Sequence, residues 1–64
     1  MPSPVLYSLK FAIGGDADPT IFTNLDKARD VAFGVAEELG LDINIVERFG
    51  QSETIIEVIE GFEG

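Results

Sequence analysis

The chain has 64 residues, a length that fits one small domain with little core to spare. Hydrophobic residues make up 45% of the chain, which favours a folded protein over a disordered one. Twelve carboxylates against four basic side chains give a formal net charge of -8. A field of that sign repels phosphate backbones and anionic membranes, so direct binding to nucleic acid or to a membrane is not expected.

The chain has neither cysteine nor histidine. Disulfides, thiolate nucleophiles, the usual zinc ligands and the usual general base near neutral pH are therefore all missing. We expect a protein that is not an enzyme and carries no cofactor. Residues 1–10 have no basic segment leading into an apolar signal core, which predicts an intracellular, cytoplasmic protein.

Two periodicities organise the first forty residues. Residues 5–13 alternate between apolar and polar positions, which predicts a half-buried strand. Its apolar face consists of Val5, Tyr7, Leu9, Phe11 and Ile13. After Thr23 the spacing becomes three and four, which predicts a helix from about Asn24 to Leu39 with Thr23 as N-cap and Gly40 beyond its end. The apolar stripe of this helix is Leu25, Ala28, Ala32, Val35, Ala36 and Leu39.

The last third predicts two strands, over residues 41–49 and 53–62, joined by a glycine-containing turn. In the second of them the doublets 55–56 and 58–59 place apolar residues on both faces, as in a strand covered from two sides. We therefore expect one compact α+β domain over residues 1–64, with a three-stranded sheet and one helix on one of its faces. The expected order is β-α-β-β with strand order 1-3-2, the first two strands parallel and the last between them.

Residues 12–24 join the first strand to the helix and contain two glycines followed by Asp16 and Asp18. A phosphate loop is disfavoured, because eight residues separate Gly15 from Asn24 and the aspartates repel an anion. The spacing of the aspartates suits hard cations, so a cation-binding module is one alternative, although the positions of an EF-hand are not matched. We expect a connector in which residues 18–19 turn the chain and Ile21 or Phe22 packs under the sheet.

One flank of the predicted helix combines acids with an aromatic ring: Asp26, Asp30, Phe33 and Glu37. At 1.5 Å per residue this row extends about 16 Å. In one interpretation Phe33 folds back over the sheet edge or over an N-terminal turn, and the acids are a solvated face. In the other the ring anchors a partner while the acids steer a basic surface toward it. A second acidic group on the last two strands comprises Glu47, Glu53, Glu57 and Glu60.

The sheet face without a helix, which we call the open face, is expected to carry apolar side chains among charged ones. The apolar residues are Leu6, Val46, Ile55 and Ile59, and the charged ones are Lys10, Arg48, Glu53 and Glu57. In one interpretation the N- and C-terminal tails cover this face. In the other it stays uncovered, which is typical of self-association or of packing into a larger assembly. It predicts, as an alternative, a small assembly subunit or a homodimer formed through the sheet face.

The function we predict is that of a non-enzymatic acidic binding protein. In size and charge, though not in any motif, the chain is similar to phage-encoded inhibitors that imitate the charge of DNA, such as anti-restriction and anti-CRISPR proteins. The similarity implies a basic protein surface as partner, most sharply the nucleic-acid groove of a DNA-binding complex. Salt dependence separates this function from assembly through an apolar face.

Overall fold

The computed structural model of the protein describes residues 5–61, which form four strands and one helix. In chain order these are β1 (Leu6–Phe11), β2 (Asp16–Phe22), α1 (Leu25–Leu39), β3 (Ile43–Phe49) and β4 (Ser52–Ile59). The strands form one antiparallel sheet in the order β2-β1-β3-β4, with α1 packed on one face. The predicted α+β class with one helix on a single sheet is confirmed, whereas the predicted number and order of strands are wrong.

The stretch predicted to be a connector is an edge strand. Gly14 and Gly15 have φ of 113° and 86°, and the Gly14 N–H donates to the Phe11 carbonyl at 2.9 Å, so the chain reverses directly after β1. Pro19 is tolerated within β2 because an edge strand has a side that donates no ladder hydrogen bonds. Aspartate and proline are depleted in strands, which is why the sequence pattern does not predict this one. Phe22 packs partly against the core, as expected.

The additional strand, β2, reverses the direction of β3 relative to β1 and changes the position of β4 in the sheet. Since β2 reverses the chain before the helix begins, β3 returns antiparallel to β1 and pairs with it directly, from Leu6 opposite Arg48 to Phe11 opposite Ile43. The predicted parallel pair is therefore wrong. So is the predicted central position of the last strand, because β4 pairs with β3 alone and lies at the sheet edge.

The apolar doublets in β4 result from a β-bulge and not from burial of the strand on both faces. The register moves from Ile45 opposite Glu57 to Val46 opposite Ile55, so Ile56 is the extra residue of a β-bulge. Strand alternation is interrupted there and one apolar residue is added, while Ile55 and Val58 on the face away from the helix are about half exposed.

The helix begins and ends at capping residues close to those predicted. The Asn24 side chain accepts hydrogen bonds from the N–H groups of Asp26 at 2.8 Å and Lys27 at 3.4 Å, so the N-cap is Asn24 and not Thr23. Gly40 has the left-handed conformation, with φ 67°, and its N–H donates to the Ala36 carbonyl at 2.8 Å. The predicted C-terminal glycine is confirmed.

The core lies between the helix and the central strands. Small side chains on the buried face of α1 let the helix approach the sheet closely, and large side chains of the sheet fill the space opposite. The buried cluster consists of Leu9, Ala28, Ala32, Ala36, Ile43, Ile45 and Ile59. Of the predicted apolar faces, Leu39 and Ile13 are instead exposed. No helix within residues 5–61 is long and apolar enough to cross a membrane.

Candidate functional site

The acidic flank of α1, defined as Asp26, Asp30, Phe33 and Glu37, faces solvent along its whole length. The buried face of the same helix is formed by alanines, and the 100° rotation per residue places the acidic flank well away from it. The Asp26 side chain is 91% exposed. The flank is therefore a continuous, accessible surface in the folded protein.

Phe33 lies within this acidic row and is 56% exposed. A ring that folded back over the sheet edge would be covered by it, and this one is not. On the helix it lies between Asp30 and Glu37, which are also exposed. The ring is therefore accessible from solvent within the acidic flank.

An arginine that the sequence pattern did not single out connects this flank to the sheet. The Nε and Nη2 of Arg29 lie 2.9 and 2.7 Å from Oε1 of Glu57 on β4, while its Nη1 is 4.0 Å from Oδ1 of Asp26. The guanidinium is thus largely engaged by Glu57. Among residues 5–61 no ion pair involves Asp30 or Glu37, so their charges remain available to a partner.

The second predicted acidic group does not form one surface. Glu57 points to the helix side, where it pairs with α1, and Glu53 pairs on the open face with Arg48 at 3.1 Å. Glu47 is half-buried on β3, and Glu60 is exposed just beyond the end of β4. Because two of these four carboxylates are held in ion pairs, the acidic flank is the stronger candidate for a charge-led contact.

Most of the predicted open face is brought together by the register. Leu6, Lys10, Val46, Arg48, Glu53 and Ile55 lie on the face away from the helix. Ile59 and Glu57 do not, because they pair with the helix-facing residues Ile43 and Ile45. The bulge at Ile56 is the physical reason for the error, since it reverses the alternation between the two halves of β4.

A polar groove of about 240 Å³ crosses the open face. Its polar lining consists of Ser8, Lys10, Asp16, Asp18, Arg48 and Glu53. Hydrogen bonds from the Thr20 side chain and from its N–H, 2.8 Å from Asp18 Oδ1, lower the pKa of Asp18 below its ordinary value. Within residues 5–61 no three acidic side chains converge as metal ligands. Lys10 and Arg48 place two positively charged side chains in the groove, which is unfavourable for a bound metal cation.

Ser8 lies in this groove with its side chain buried. It is 6% exposed, and its Oγ has no hydrogen-bond partner among the residues that the structure describes. An orphaned hydroxyl costs free energy that an apolar group of similar size does not.

We expect Ser8→Val to raise the free energy of unfolding by about 1 kcal/mol, because it removes the unpaired hydroxyl and adds a β-branched side chain to a central strand. Urea denaturation followed by circular dichroism measures the change. Ser52→Val, at an exposed strand position, is the matched control and should change stability by less than about 0.5 kcal/mol. A destabilised Ser8→Val protein would show that the hydroxyl is satisfied by water and belongs to a polar site.

The acidic flank is therefore an accessible charged surface on which Phe33 lies between Asp30 and Glu37, two carboxylates without an ion pair among residues 5–61. The open face contributes a mixed polar groove and an exposed apolar edge. Comparison of the chain with protein-family models, with curated proteins and with solved structures finds no match.

Proposed function

We propose that the protein is a non-enzymatic binding protein whose acidic flank docks on a basic surface of a partner protein. In its sharpest form, the proposal is that the flank enters the nucleic-acid groove of a DNA-binding complex and blocks it. The observation that carries the proposal is the exposed ring of Phe33 within a row of carboxylates that make no ion pair shorter than 4.0 Å among residues 5–61. The net charge of -8 extends the same field over the rest of the molecule.

The charge density of the flank, compared with that of DNA, indicates different roles for its acids and for its aromatic ring. The flank is about 16 Å long and carries three carboxylates. A DNA duplex of the same length carries about nine phosphates, at one charge per roughly 1.7 Å. The flank alone thus reproduces a minor part of the charge of a duplex. Its acids serve chiefly to steer encounter with a basic groove, and the aromatic ring supplies an apolar anchor in the bound complex.

A triple variant tests the role of the flank charges. Asp26→Asn, Asp30→Asn and Glu37→Gln together change the net charge from -8 to -5 and leave the buried stripe intact. The matched control neutralises three other exposed carboxylates, with Asp16→Asn, Glu38→Gln and Glu60→Gln, and has the same net charge. Any difference between the two variants then reflects the position of the charges and not their number.

The three proteins are immobilised and used to capture partners from a lysate of the source cells. We expect the natural protein and the control to retain a DNA-binding protein at about 50 mM salt, to release it at about 500 mM, and to lose it to added duplex DNA. The flank variant should capture it poorly, with a slower on-rate and a flatter salt dependence. Equal losses in both variants would show that the flank is a solvated face. Capture that duplex DNA does not displace would contradict occupation of a nucleic-acid groove.

A further inference from the structure

We propose that two copies of the protein pair edge to edge through β4, which joins their sheets into one antiparallel sheet of eight strands. This interaction uses the edge of the sheet and not the acidic flank itself, and it does not rest on the function proposed above. It replaces the predicted contact through the open face with a contact through the strand edge. Two features of the sheet carry it: the two edges differ in their ability to pair, and β4 is complementary to itself.

The two edges of the sheet are not equivalent. The β2 edge contains Pro19, and its pairing with β1 has two register shifts, so it offers a poor template for another strand. The β4 edge is eight residues long, contains neither proline nor lysine, has a single register shift, at the Ile56 bulge, and is uncovered on its outer side within the part of the chain that the structure describes. Because one edge alone is competent, pairing closes at two copies and does not continue into a fibre.

The side chains of β4 suit burial against an identical strand. Ile55 is 57% exposed and Val58 is 52% exposed, and both lie on the open face. The two glutamates of the strand, Glu53 and Glu57, are held by Arg48 and Arg29 of their own chain. The seam therefore carries much less charge than the net charge of the molecule implies, which reduces the repulsion between like strands.

One register satisfies the alternation of side chains in both copies. In an antiparallel pair with its two-fold axis between Ile56 and Glu57, Ile55 of each copy lies opposite Val58 of the other on the open face. In the same register Thr54 lies opposite Ile59 on the helix face. Glu53 lies opposite Glu60 at each end of the seam, where the ion pair of Glu53 with Arg48 of its own chain offsets part of their repulsion. The axis is perpendicular to the sheet, so both helices lie on the same side. The dimer thus presents two acidic flanks in one direction.

The salt dependence of this pairing differs in sign from that of the acidic flank. Two molecules of charge -8 repel one another at a distance, and added salt screens that repulsion. Dimerisation should therefore strengthen as salt rises, whereas charge-led binding to a basic partner weakens. The contact is small compared with the roughly 1,200–2,000 Å² buried by stable complexes, so a reversible, concentration-dependent dimer is expected.

The experiment measures oligomeric state by sedimentation velocity from about 5 μM to about 500 μM protein, at about 50 mM and about 500 mM salt. Ile55→Lys and Val58→Lys place a charge on the β4 edge, and Ile21→Lys, also at an exposed isoleucine, places the same charge on the β2 edge. Hydrogen exchange of the β4 amides, at both ends of the concentration range, reports pairing of the backbone itself.

We expect the natural protein and Ile21→Lys to dimerise, more tightly at high salt, and both β4 variants to stay folded and monomeric. Exchange at residues 53–58 should slow by at least about tenfold at high concentration. A natural protein that is monomeric at the highest concentration in high salt overturns the proposal. So does a dimer whose β4 amides exchange at the monomer rate, since that dimer uses the open face and not the strand edge.

Discussion

Leu9→Ala is expected to lower the free energy of unfolding by about 2–5 kcal/mol, which is the range for truncating a buried leucine in a core. Leu9 has no exposed surface and lies on β1, which is flanked by β2 and β3 and covered by the helix. A single core in a chain this short supplies about 3–5 kcal/mol in total, so the loss is comparable with the whole stability. Most of the variant should be unfolded at physiological temperature.

Urea denaturation in the cold, followed by far-ultraviolet circular dichroism, measures the free energy of unfolding of this variant and of the natural protein. Ile13→Ala is the control, because that side chain is exposed in the turn after β1 and its truncation should cost less than about 0.5 kcal/mol. If Leu9→Ala were as stable as the control, the core would not be centred on β1, and β1 would not occupy an interior position in the sheet.

The parts of the fold that the sequence predicts are those determined by local periodicity. The helix is predicted to within one residue, because the spacing of Ala28, Ala32 and Ala36 and the glycine at 40 are local signals of a single element. The hairpin of β3 and β4 is predicted for the same reason, since a glycine-containing turn separates two runs rich in isoleucine and valine.

The parts that were not predicted depend on tertiary context. β2 contains two aspartates and a proline, and it is a strand because the glycine turn folds it back along β1. Without this reversal, β3 is predicted to be parallel to β1 and β4 is predicted to be central, and both predictions are wrong. The bulge at Ile56 likewise decides which side of the sheet Glu57 faces, and no periodicity in the sequence reports a bulge.

The candidate site likewise has features that depend on local structure and features that depend on the tertiary fold. The acidic flank is predicted correctly as a row, because the angle between Asp26 and Glu37 is a property of any α-helix. The ion pair of Arg29 with Glu57 joins residues 28 positions apart, so it is visible once the fold is known and not before. That pair removes Glu57 from the predicted partner surface and lowers the charge along the β4 edge.

Phe33→Ala is expected to weaken binding to the partner by about 30-fold, or about 2 kcal/mol, while leaving the melting temperature almost unchanged. The ring is 56% exposed, so its truncation removes little buried area from the folded protein. If the ring is the anchor at the centre of the interface, the same truncation removes most of the contacts that it makes with the partner. Because the surrounding carboxylates remain, encounter should proceed at the natural rate, and the loss should be found in faster dissociation.

Surface plasmon resonance against the protein captured by the natural chain measures the two rate constants, and a thermal melt of the same samples measures stability. Phe49→Ala is the matched control, because that phenylalanine is 50% exposed at the end of β3, away from the acidic flank, and its loss should leave dissociation unchanged. A lower melting temperature with unchanged dissociation would assign Phe33 to the packing of the helix on the sheet. Equal effects of the two substitutions on dissociation would show that the contact is not centred on the flank.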